Sequence, residues 1–220
     1  MKDTMFITFE GIEGSGKTTQ IQSAAAYLSG RNLPVVVTRE PGGTAIGLKI
    51  RALLLDPEHH DLDPRAELLL YMADRAHHLS TVVRPAVADR KIVLCDRYFD
   101  ATLAYQGYAR GLDIDFLKTL HSLVLDDFTP DLTLLLDLPP QIGLRRAWRQ
   151  ISAGEREAAE TRFEKELVPF HERVRAGYLD MALQSPKRFR IVNAEQDPDI
   201  VGRDIRGILS HFFDTRYPPD

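Results

Sequence analysis

A glycine-rich segment close to the start of the chain has the residue types and spacing that bind phosphate. Its sequence, Gly11-Ile12-Glu13-Gly14-Ser15-Gly16-Lys17-Thr18, matches the pattern G-x-x-x-x-G-K-[ST] at every required position. Glycines allow backbone N–H groups to converge on phosphate oxygens, and the dipole of a following helix adds to that attraction. We expect this segment and the adjoining Thr19 to bind a nucleoside triphosphate, with Lys17 on its β- and γ-phosphates and Thr18 helping to hold Mg²⁺.

The motif predicts the ligand but not what is done with it. GTPase switches, motor ATPases and small-molecule kinases all carry the same pattern. Its surroundings favour a phosphate loop over a chance glycine-rich turn, because a β-prone run at residues 6–9 precedes it and a helical pattern at residues 17–28 follows it.

Asp96 and Arg97 are a second pair of residues whose side chains could bind a metal ion or a phosphate. Asp96 follows the apolar run at residues 92–95, so it stands where a strand ends beside the phosphate loop. A carboxylate there is suited to binding Mg²⁺ directly or through water, although it could instead cap the next segment. The adjacent Arg97 carries a guanidinium, which can bind phosphate through two hydrogen bonds.

Tyr71 and Arg75 are four residues apart in a predicted helix, so their side chains share one face. The residue types leave two interpretations open. The pair is either an aromatic platform and a cation for a ligand, or a buried aromatic beside a solvated arginine.

Strand-like and helix-like segments alternate along the chain. The predicted strands are residues 6–9, 35–38, 92–95, 132–138 and 189–192, and the main predicted helices are residues 17–28, 45–55, 66–88, 117–125, 163–182 and 197–213, with a further helix from about residue 141. Strands that are nearly all apolar and separated by helices imply a parallel sheet covered on both faces. We predict one α/β domain over residues 1–220, with about five strands and with ligands at their carboxyl ends.

Composition excludes several classes of protein. The 220 residues are 44% hydrophobic and 27% charged, which is ordinary for one globular domain, and the net charge of −4 is unlike that of a dedicated nucleic-acid binder. Cys95 is the single cysteine, so neither an intrachain disulfide nor a thiolate zinc cluster can form. The chain shows no signal peptide and no apolar run of the roughly 18 residues that a membrane span needs. We expect a cytoplasmic protein.

Further motifs resemble those of bacterial thymidylate kinases. They are Thr38-Arg39-Glu40-Pro41-Gly42-Gly43-Thr44, Asp96-Arg97-Tyr98, Ala104-Tyr105-Gln106-Gly107, Leu136-Asp137-Leu138-Pro139-Pro140 and the segment 170–179. They occur in the family's order over about residues 5–213. The resemblance implies a P-loop NTPase-type fold with a helical lid, and transfer of the γ-phosphoryl group of Mg·ATP to dTMP, giving dTDP. It also implies a homodimer, for which apolar helix faces at residues 66–79 and 117–125 could supply the interface.

The resemblance also implies roles for individual residues. Arg97 would bind the acceptor phosphate, Tyr71 would stack on thymine and Arg75 would contact the base or its phosphate. Gln106 would bind the polar edge of the pyrimidine and Glu40 the deoxyribose, while Arg51 falls on a further substrate-binding position. On the ATP side, the resemblance implies that Arg145 flanks adenine and that Asn193 belongs to the adenine loop.

A lid is expected at about residues 149–162. Members of the family with a basic residue inside the phosphate loop carry it at the position of Gly14, so this chain resembles the subtype whose catalytic arginine comes from a mobile lid. Arg149 and Arg156 are the favoured donors, and Arg162 is a third. The chain departs from the family here, because it has Thr161-Arg162-Phe163-Glu164 where Asp-Arg-x-Glu is common, and a longer segment before it. Each arginine could also belong to a solvated loop.

Three other functions stay open at this point. The first is a kinase for another nucleoside monophosphate or for a deoxynucleoside. The second is a GTP-dependent switch, although the chain has no Asn-Lys-x-Asp motif for reading guanine. The third is an inactive scaffold, which the presence of Lys17, Thr18, Asp96 and Arg97 disfavours.

Overall fold

The fold is built on a five-stranded parallel sheet, as the alternation of segments predicts. A computed structural model describes residues 5–154 and 158–216. The strands, in chain order, are β1 (Phe6–Glu10), β2 (Val35–Arg39), β3 (Ile92–Asp96), β4 (Leu132–Asp137) and β5 (Phe189–Asn193). They lie side by side in the order β2-β3-β1-β4-β5, and every neighbouring pair is parallel.

Nine α-helices connect or flank these strands in the part of the chain that the structure describes. They are α1 (Lys17–Ser29), α2 (Ala45–Leu55), α3 (Pro64–His78), α4 (Arg84–Ala88), α5 (Phe99–Thr102), α6 (Ile114–Leu125), α7 (Pro140–Ser152), α8 (Val168–Gln184) and α9 (Pro198–Arg216). Within residues 5–154 and 158–216, none of them is both long and apolar enough to cross a bilayer.

The central strands form the middle of the core. All five residues of β1 are buried, and β3 and β4 are buried except at their last residues. This is the pattern of parallel strands covered by helices on both faces. The edge strands β2 and β5 are only partly buried. The carboxyl ends of β1, β3 and β4 bring Glu10, Asp96 and Asp137 to one edge of the sheet, where the following loops begin.

Two π-helical segments, Leu79–Val83 and Leu103–Ala109, continue α-helices of the fold. Leu79–Val83 joins α3 to α4, so the helix predicted over residues 66–88 is present as one helical stretch from residue 64 to residue 88. Leu103–Ala109 continues α5, and sequence patterns did not predict it. Such segments are frequent at functional sites. Here the second one brings Tyr105 and Gln106 into the interior.

The helix predicted from residue 163 is wrong at its start. The structure begins α8 at Val168, with Pro169 in the first turn, and residues 161–167 form turns instead. A proline is well accepted in the first turn of a helix but breaks the hydrogen bonding of an interior turn. The turns leave Phe163 and Glu164 facing a cleft rather than a helix neighbour.

Candidate active site

The phosphate loop joins β1 to α1 and surrounds the amino group of Lys17. The Nζ atom donates hydrogen bonds to the carbonyl oxygens of Gly11 at 2.9 Å and Ile12 at 3.0 Å. Burial is the largest cause that lowers the pKa of Lys17, to about 8. A buried cation with carbonyl partners at the amino end of a helix is suited to binding phosphate oxygens, which would supply its missing charge partner.

Gly14 and Gly143 bring the phosphate loop into direct contact with α7. Gly14 has a φ of 69°, and a Cβ added there would overlap the carbonyl group of Gly143. A Cβ on Gly143 would in turn overlap the carbonyl oxygen of Glu13. The loop therefore has no room for a side chain at position 14.

Asp96 ends β3 beside the phosphate loop, and its surroundings fit a magnesium site. Its Oδ1 atom is buried and has no hydrogen-bond partner among the described residues. Thr18 and Asp96 line the same cleft. Within the described residues no group of three or more His, Cys, Asp or Glu side chains could bind a metal. Thr18 and Asp96, together with phosphate oxygens, would offer a Mg²⁺ ion the hard oxygen ligands that it prefers.

Arg97 lies beside this pair in a left-handed backbone conformation, with a φ of 69°. Its Nη2 atom donates to Oε1 of Glu13 and to the hydroxyl of Tyr105, both at 3.0 Å, and its Nη1 atom donates to the hydroxyl of Tyr178 at 3.2 Å. Despite the opposing effect of burial, the neighbouring Tyr105, Tyr178 and Glu13 raise the pKa of Arg97 well above its ordinary value. The guanidinium is therefore charged and fixed in direction.

Two adjoining clefts meet at Arg97. The phosphate-loop cleft is lined by Glu13, Gly14, Ser15, Gly16, Lys17, Thr18, Thr19, Arg39, Glu40, Arg51, Asp96, Arg97, Gln150 and Glu160. The inner cleft is lined by Glu13, Glu40, Pro41, Arg51, Leu55, Tyr71, Arg75, Arg97, Ala101, Thr102, Tyr105, Gln106, Glu160, Phe163 and Glu164. The predicted substrate residues thus lie together in the inner cleft, and five residues line both clefts.

Arg75 and Glu40 form a buried ion pair at one side of the inner cleft. The Nε atom of Arg75 donates to Oε2 of Glu40 at 2.6 Å, and its other nitrogens donate to the Thr102 hydroxyl at 2.8 Å and the Tyr98 carbonyl at 3.0 Å. Oε1 of Glu40 lies 2.8 Å from Nδ1 of His78. These bonds hold both predicted substrate residues in one arrangement. They also exclude the alternative that Arg75 is a solvated surface arginine.

Arg51 links α2 to the far end of the expected lid. Its Nε and Nη2 atoms bind Oε1 and Oε2 of Glu160 at 2.8 Å and 2.6 Å. This two-bond geometry is the one in which arginine holds carboxylates most firmly. The pair lines both clefts, so the lid segment is attached at the boundary between them.

The arginines expected in the lid have different surroundings. Arg149 is exposed in the last turn of α7, where the neighbouring Gln150 lines the phosphate-loop cleft. Arg156 lies outside the described residues. Arg162 is buried away from that cleft, with Nη1 at 2.6 Å from Oε2 of Glu67 and at 3.1 Å from the Leu54 carbonyl oxygen.

On the adenine side, the structure distinguishes two neighbouring arginines. Arg145 is exposed on α7, whereas Arg146 donates to the carbonyl oxygens of Ala194 at 2.8 Å and Glu195 at 3.1 Å. Asn193 ends β5, and its Oδ1 accepts from the Glu195 amide. Sequence reasoning missed Arg146. The small buried residues Gly143 and Ala147 mark the packed face of α7, and Arg146 borders that face.

His171 is another functional candidate that sequence reasoning missed, although it lies inside the family-like segment 170–179. Its Nε2 atom lies 3.0 Å from the Phe163 carbonyl oxygen, and its Nδ1 atom lies 3.1 Å from Oε2 of Glu13. The contact with Glu13 is an ion-pair distance without hydrogen-bond geometry. Although burial opposes it, Glu13 raises the pKa of His171. The His171 side chain connects the phosphate loop to the segment that follows the lid.

The fold has parallel strands with a phosphate loop after the first strand, and two clefts meet at an arginine. Together these features define a P-loop kinase of small molecules. A family model described as thymidylate kinase matches residues 9–205. The chain belongs to the thymidylate kinase family.

Curated relatives and a solved structure agree with this assignment. The thymidylate kinase of Syntrophotalea carbinolica is 54% identical over 200 residues, which cover 90% of this chain and 91% of that protein. That of Desulfosudis oleivorans is 53% identical over 190 residues, covering 86% and 89%. The crystal structure of thymidylate kinase from Ehrlichia chaffeensis superimposes with a TM-score of 0.74 at 35% identity, covering 94% of this chain and 98% of that one.

Proposed function

We propose that this enzyme transfers the γ-phosphoryl group of ATP to dTMP, giving ADP and dTDP, a precursor of dTTP. The observation that carries the proposal is the shared wall between the two clefts. Glu13, Glu40, Arg51, Arg97 and Glu160 line both of them. A donor in the phosphate-loop cleft and an acceptor in the inner cleft would therefore meet without an intervening layer of protein.

The chemistry requires alignment more than proton transfer. The second pKa of a phosphate monoester is about 6, so the acceptor phosphate is largely dianionic at neutral pH and needs no general base. Lys17 would bind the triphosphate from the loop, and Arg97 would bind the acceptor phosphate from the shared wall. Their positive charges would stabilise the charge that spreads over the transferred group.

Mg²⁺ is the cofactor that we propose, with Thr18 and Asp96 as its protein ligands. When bound, it would neutralise charge on the donor phosphates. The buried and unpartnered Oδ1 of Asp96 supports this assignment. Remaining members of the phosphate loop, namely Gly11, Ile12, Glu13, Gly14, Ser15, Gly16 and Thr19, would surround the triphosphate.

The acceptor would lie in the inner cleft with its base beside Tyr71. We propose that Tyr71 stacks on thymine, that Gln106 binds its polar edge and that Arg75 borders the base. Glu40 would face the deoxyribose, and Arg51 would contribute positive charge near the phosphates. The positions of all five side chains in the cleft wall support these roles.

Lid and adenine residues complete the proposal. We assign Arg149 and Arg156 as candidate donors to the transferred phosphoryl group, since the packing of Gly14 leaves no room for a cation in the loop itself. Arg162 is not included, because its ion pair with Glu67 holds it outside the phosphate-loop cleft. On the other side of α7, Arg145 and Asn193 would flank adenine, with Arg146 fixing the loop after β5.

A homodimer acting in the cytoplasm, where both nucleotides are available, is the proposed biological form. α3 and α6 pack against each other and present exposed leucines, with Leu69 60% and Leu123 77% exposed. An apolar surface of this kind is typical of a face that a second copy covers.

A panel of acceptors tests the reaction. ADP release would be followed with Mg·ATP and dTMP, dUMP, dCMP, dAMP, dGMP, UMP or CMP. We expect a strong preference for dTMP, and loss of activity in Lys17→Ala and Arg97→Ala. Preference for another acceptor would remove the thymine-specific roles of Tyr71 and Gln106. Nucleotide binding without acceptor-stimulated ADP release would contradict the kinase reaction itself.

A further inference from the structure

Glu67 is a completely buried carboxylate that none of the proposed catalytic steps uses. It lies in the first turn of α3, with 0% of its surface exposed, and it lines neither cleft. Its Oε1 atom accepts a hydrogen bond from Nε2 of Gln106 at 2.7 Å. Its Oε2 atom lies 2.6 Å from Nη1 of Arg162 and 3.5 Å from Nη2 of Arg110.

The bond between Glu67 and Gln106 fixes which end of the amide faces the inner cleft. An ionised carboxylate can only accept hydrogen bonds, so it must face the NH₂ group of Gln106. The carbonyl oxygen of that amide is then directed away from Glu67. It has no donor among the residues that the structure describes, and Gln106 lines the inner cleft. The side chain thus offers the cleft an acceptor rather than a donor.

Two arginines place positive charge beside this carboxylate. A buried carboxylate is stable only with opposite charge and hydrogen bonds around it. Arg162 supplies the nearer charge, and its own backbone amide donates to the Leu55 carbonyl oxygen at 3.1 Å. Arg110 also pairs with Glu166 at 2.7 Å. The orientation of Gln106 is therefore tied to the segment that follows the lid.

We propose that Glu67 is a positioning residue that makes the inner cleft select pyrimidines with a protonated ring nitrogen. Thymine and uracil carry an N3–H donor, which an amide carbonyl can accept. Cytosine has an N3 lone pair at the same place. That lone pair and the carbonyl oxygen of Gln106 are both acceptors, so they would repel each other. The inference rests on the proposed function, because it takes Gln106 to be the residue that meets the polar edge of the base.

Glu67→Gln tests the inference, since glutamine can present either its oxygen or its NH₂ group to Gln106. The amide of Gln106 would lose its fixed direction. We expect kcat/KM for dTMP to fall about 10- to 100-fold, the effect of one mispaired hydrogen bond in a buried site. The ratio of kcat/KM for dTMP over dCMP should fall about 10-fold or more. An unchanged ratio would overturn the inference, even if the variant lost stability or turnover.

Three further variants separate positioning from general damage. Glu166→Gln removes an acid that also pairs with Arg110 but does not contact Gln106, so it should leave the dTMP to dCMP ratio unchanged. Gln106→Ala should lower the ratio by itself. Adding Glu67→Gln to it should lower the ratio no further, because Glu67 acts through that amide. A full additional loss in the double variant would contradict the inference.

Glu67→Asp keeps the experiment decisive if Glu67→Gln does not fold. Aspartate retains the charge beside Arg162 but withdraws the carboxylate from Gln106 by one methylene. We expect a folded protein, judged by circular dichroism, with a reduced dTMP to dCMP ratio; an unchanged ratio would again overturn the inference. If the wild-type enzyme did not accept dTMP, both the proposed function and this inference would be wrong. If the wild-type enzyme selected dTMP but the Glu67 variants kept the same dTMP to dCMP ratio, only the inference would be wrong.

Discussion

Arg97 shows how much of the site is fixed by neighbouring side chains. Its guanidinium donates to Glu13, Tyr105 and Tyr178, and its backbone adopts a left-handed conformation. Such a conformation costs about 1–3 kcal/mol and persists only when the surroundings enforce it. An arginine held in this way loses little side-chain entropy when a phosphate binds, because most of that entropy has already been lost during folding.

The hydroxyl of Tyr105 contributes directly to this arrangement. It donates to Oε1 of Glu13 at 2.5 Å and accepts from Arg97 at 3.0 Å. Tyr105→Phe should raise KM for dTMP roughly 10-fold or more, because a hydrogen bond to a charged group contributes about 1.5–3 kcal/mol. The measurement is steady-state kinetics with dTMP varied at saturating ATP.

Tyr27 provides the matched control for this substitution. Its hydroxyl accepts from the exposed Arg31 at 3.2 Å, and neither residue lines a cleft. Tyr27→Phe should leave KM for dTMP unchanged. Equal effects of the two substitutions would show that the Tyr105 hydroxyl has no special role in the site.

Glu10 gives the enzyme a pH dependence of stability. Burial, followed by repulsion from Asp100, raises the pKa of Glu10 from its ordinary value of 4.5 to about 8. Between these pH values the folded protein keeps a proton that the unfolded chain releases. The free energy of unfolding should therefore decrease as the pH rises from about 4.5 to about 8.

Glu10→Gln should remove this pH dependence, because an amide does not titrate. We expect the variant to melt several degrees above the wild type near pH 8 and to differ little from it near pH 5. Differential scanning calorimetry from pH 5 to pH 9 measures the difference. If the melting temperatures of the two proteins changed with pH in the same way, the raised pKa of Glu10 would be contradicted.

At the scale of whole elements, the close approach of α7 to the phosphate loop is the most sensitive contact. A Cβ at Gly143 would overlap the Glu13 carbonyl oxygen and press on Ile12. Gly143→Ala should therefore displace the loop, raise KM for ATP and cost about 1–3 kcal/mol in stability. ATP kinetics and urea unfolding measure the two effects.

Gly207 is the control for this helix glycine. It is exposed in α9, and a Cβ there would meet nothing within 4 Å. Gly207→Ala should stabilise the protein by roughly 0.5–1 kcal/mol, the difference in helix propensity between the two residues, and should leave KM for ATP unchanged. If Gly143→Ala changed neither the stability nor KM for ATP, α7 would be able to move away from the loop without cost.

The elements themselves were largely predictable from local patterns, and the exceptions have physical causes. All five strands were predicted, because buried parallel strands are short apolar runs. The sequence pattern predicts the start of α8 at residue 163 instead of Val168, because Phe163 fits a helical pattern although its side chain packs in the cleft. The π-helical segment Leu103–Ala109 was not predicted, since its form depends on packing against α8 rather than on local propensity.

At the scale of the whole molecule, the strand order explains why distant motifs meet. β1 lies between β3 and β4, so the phosphate loop after β1 adjoins Asp96 and Arg97 at the end of β3. The types and approximate positions of these residues were predictable from the sequence. Their partners were not, because pairs such as Arg51 with Glu160 and Gln106 with Glu67 join residues that are far apart in the chain.

The exposed apolar face on α3 and α6 makes a prediction about assembly. Leu123→Glu places a charge on that face and should convert the proposed dimer to a monomer in analytical ultracentrifugation. Leu183 on α8 is exposed to the same 77% as Leu123, so Leu183→Glu is the matched control and should leave the proposed dimer intact. A wild-type monomer, or a dimer that survives Leu123→Glu, would contradict the assignment of this face.

The central claim is that the phosphoryl group passes directly from ATP to dTMP across the wall that Arg97 occupies. Phosphorus NMR of a reaction with Mg²⁺, ATP and dTMP measures this transfer most directly, because it resolves dTDP, ADP and inorganic phosphate. We expect dTDP and ADP in equal amounts, with almost no inorganic phosphate and no reaction in Arg97→Ala. ADP accompanied by inorganic phosphate instead of dTDP would contradict the claim.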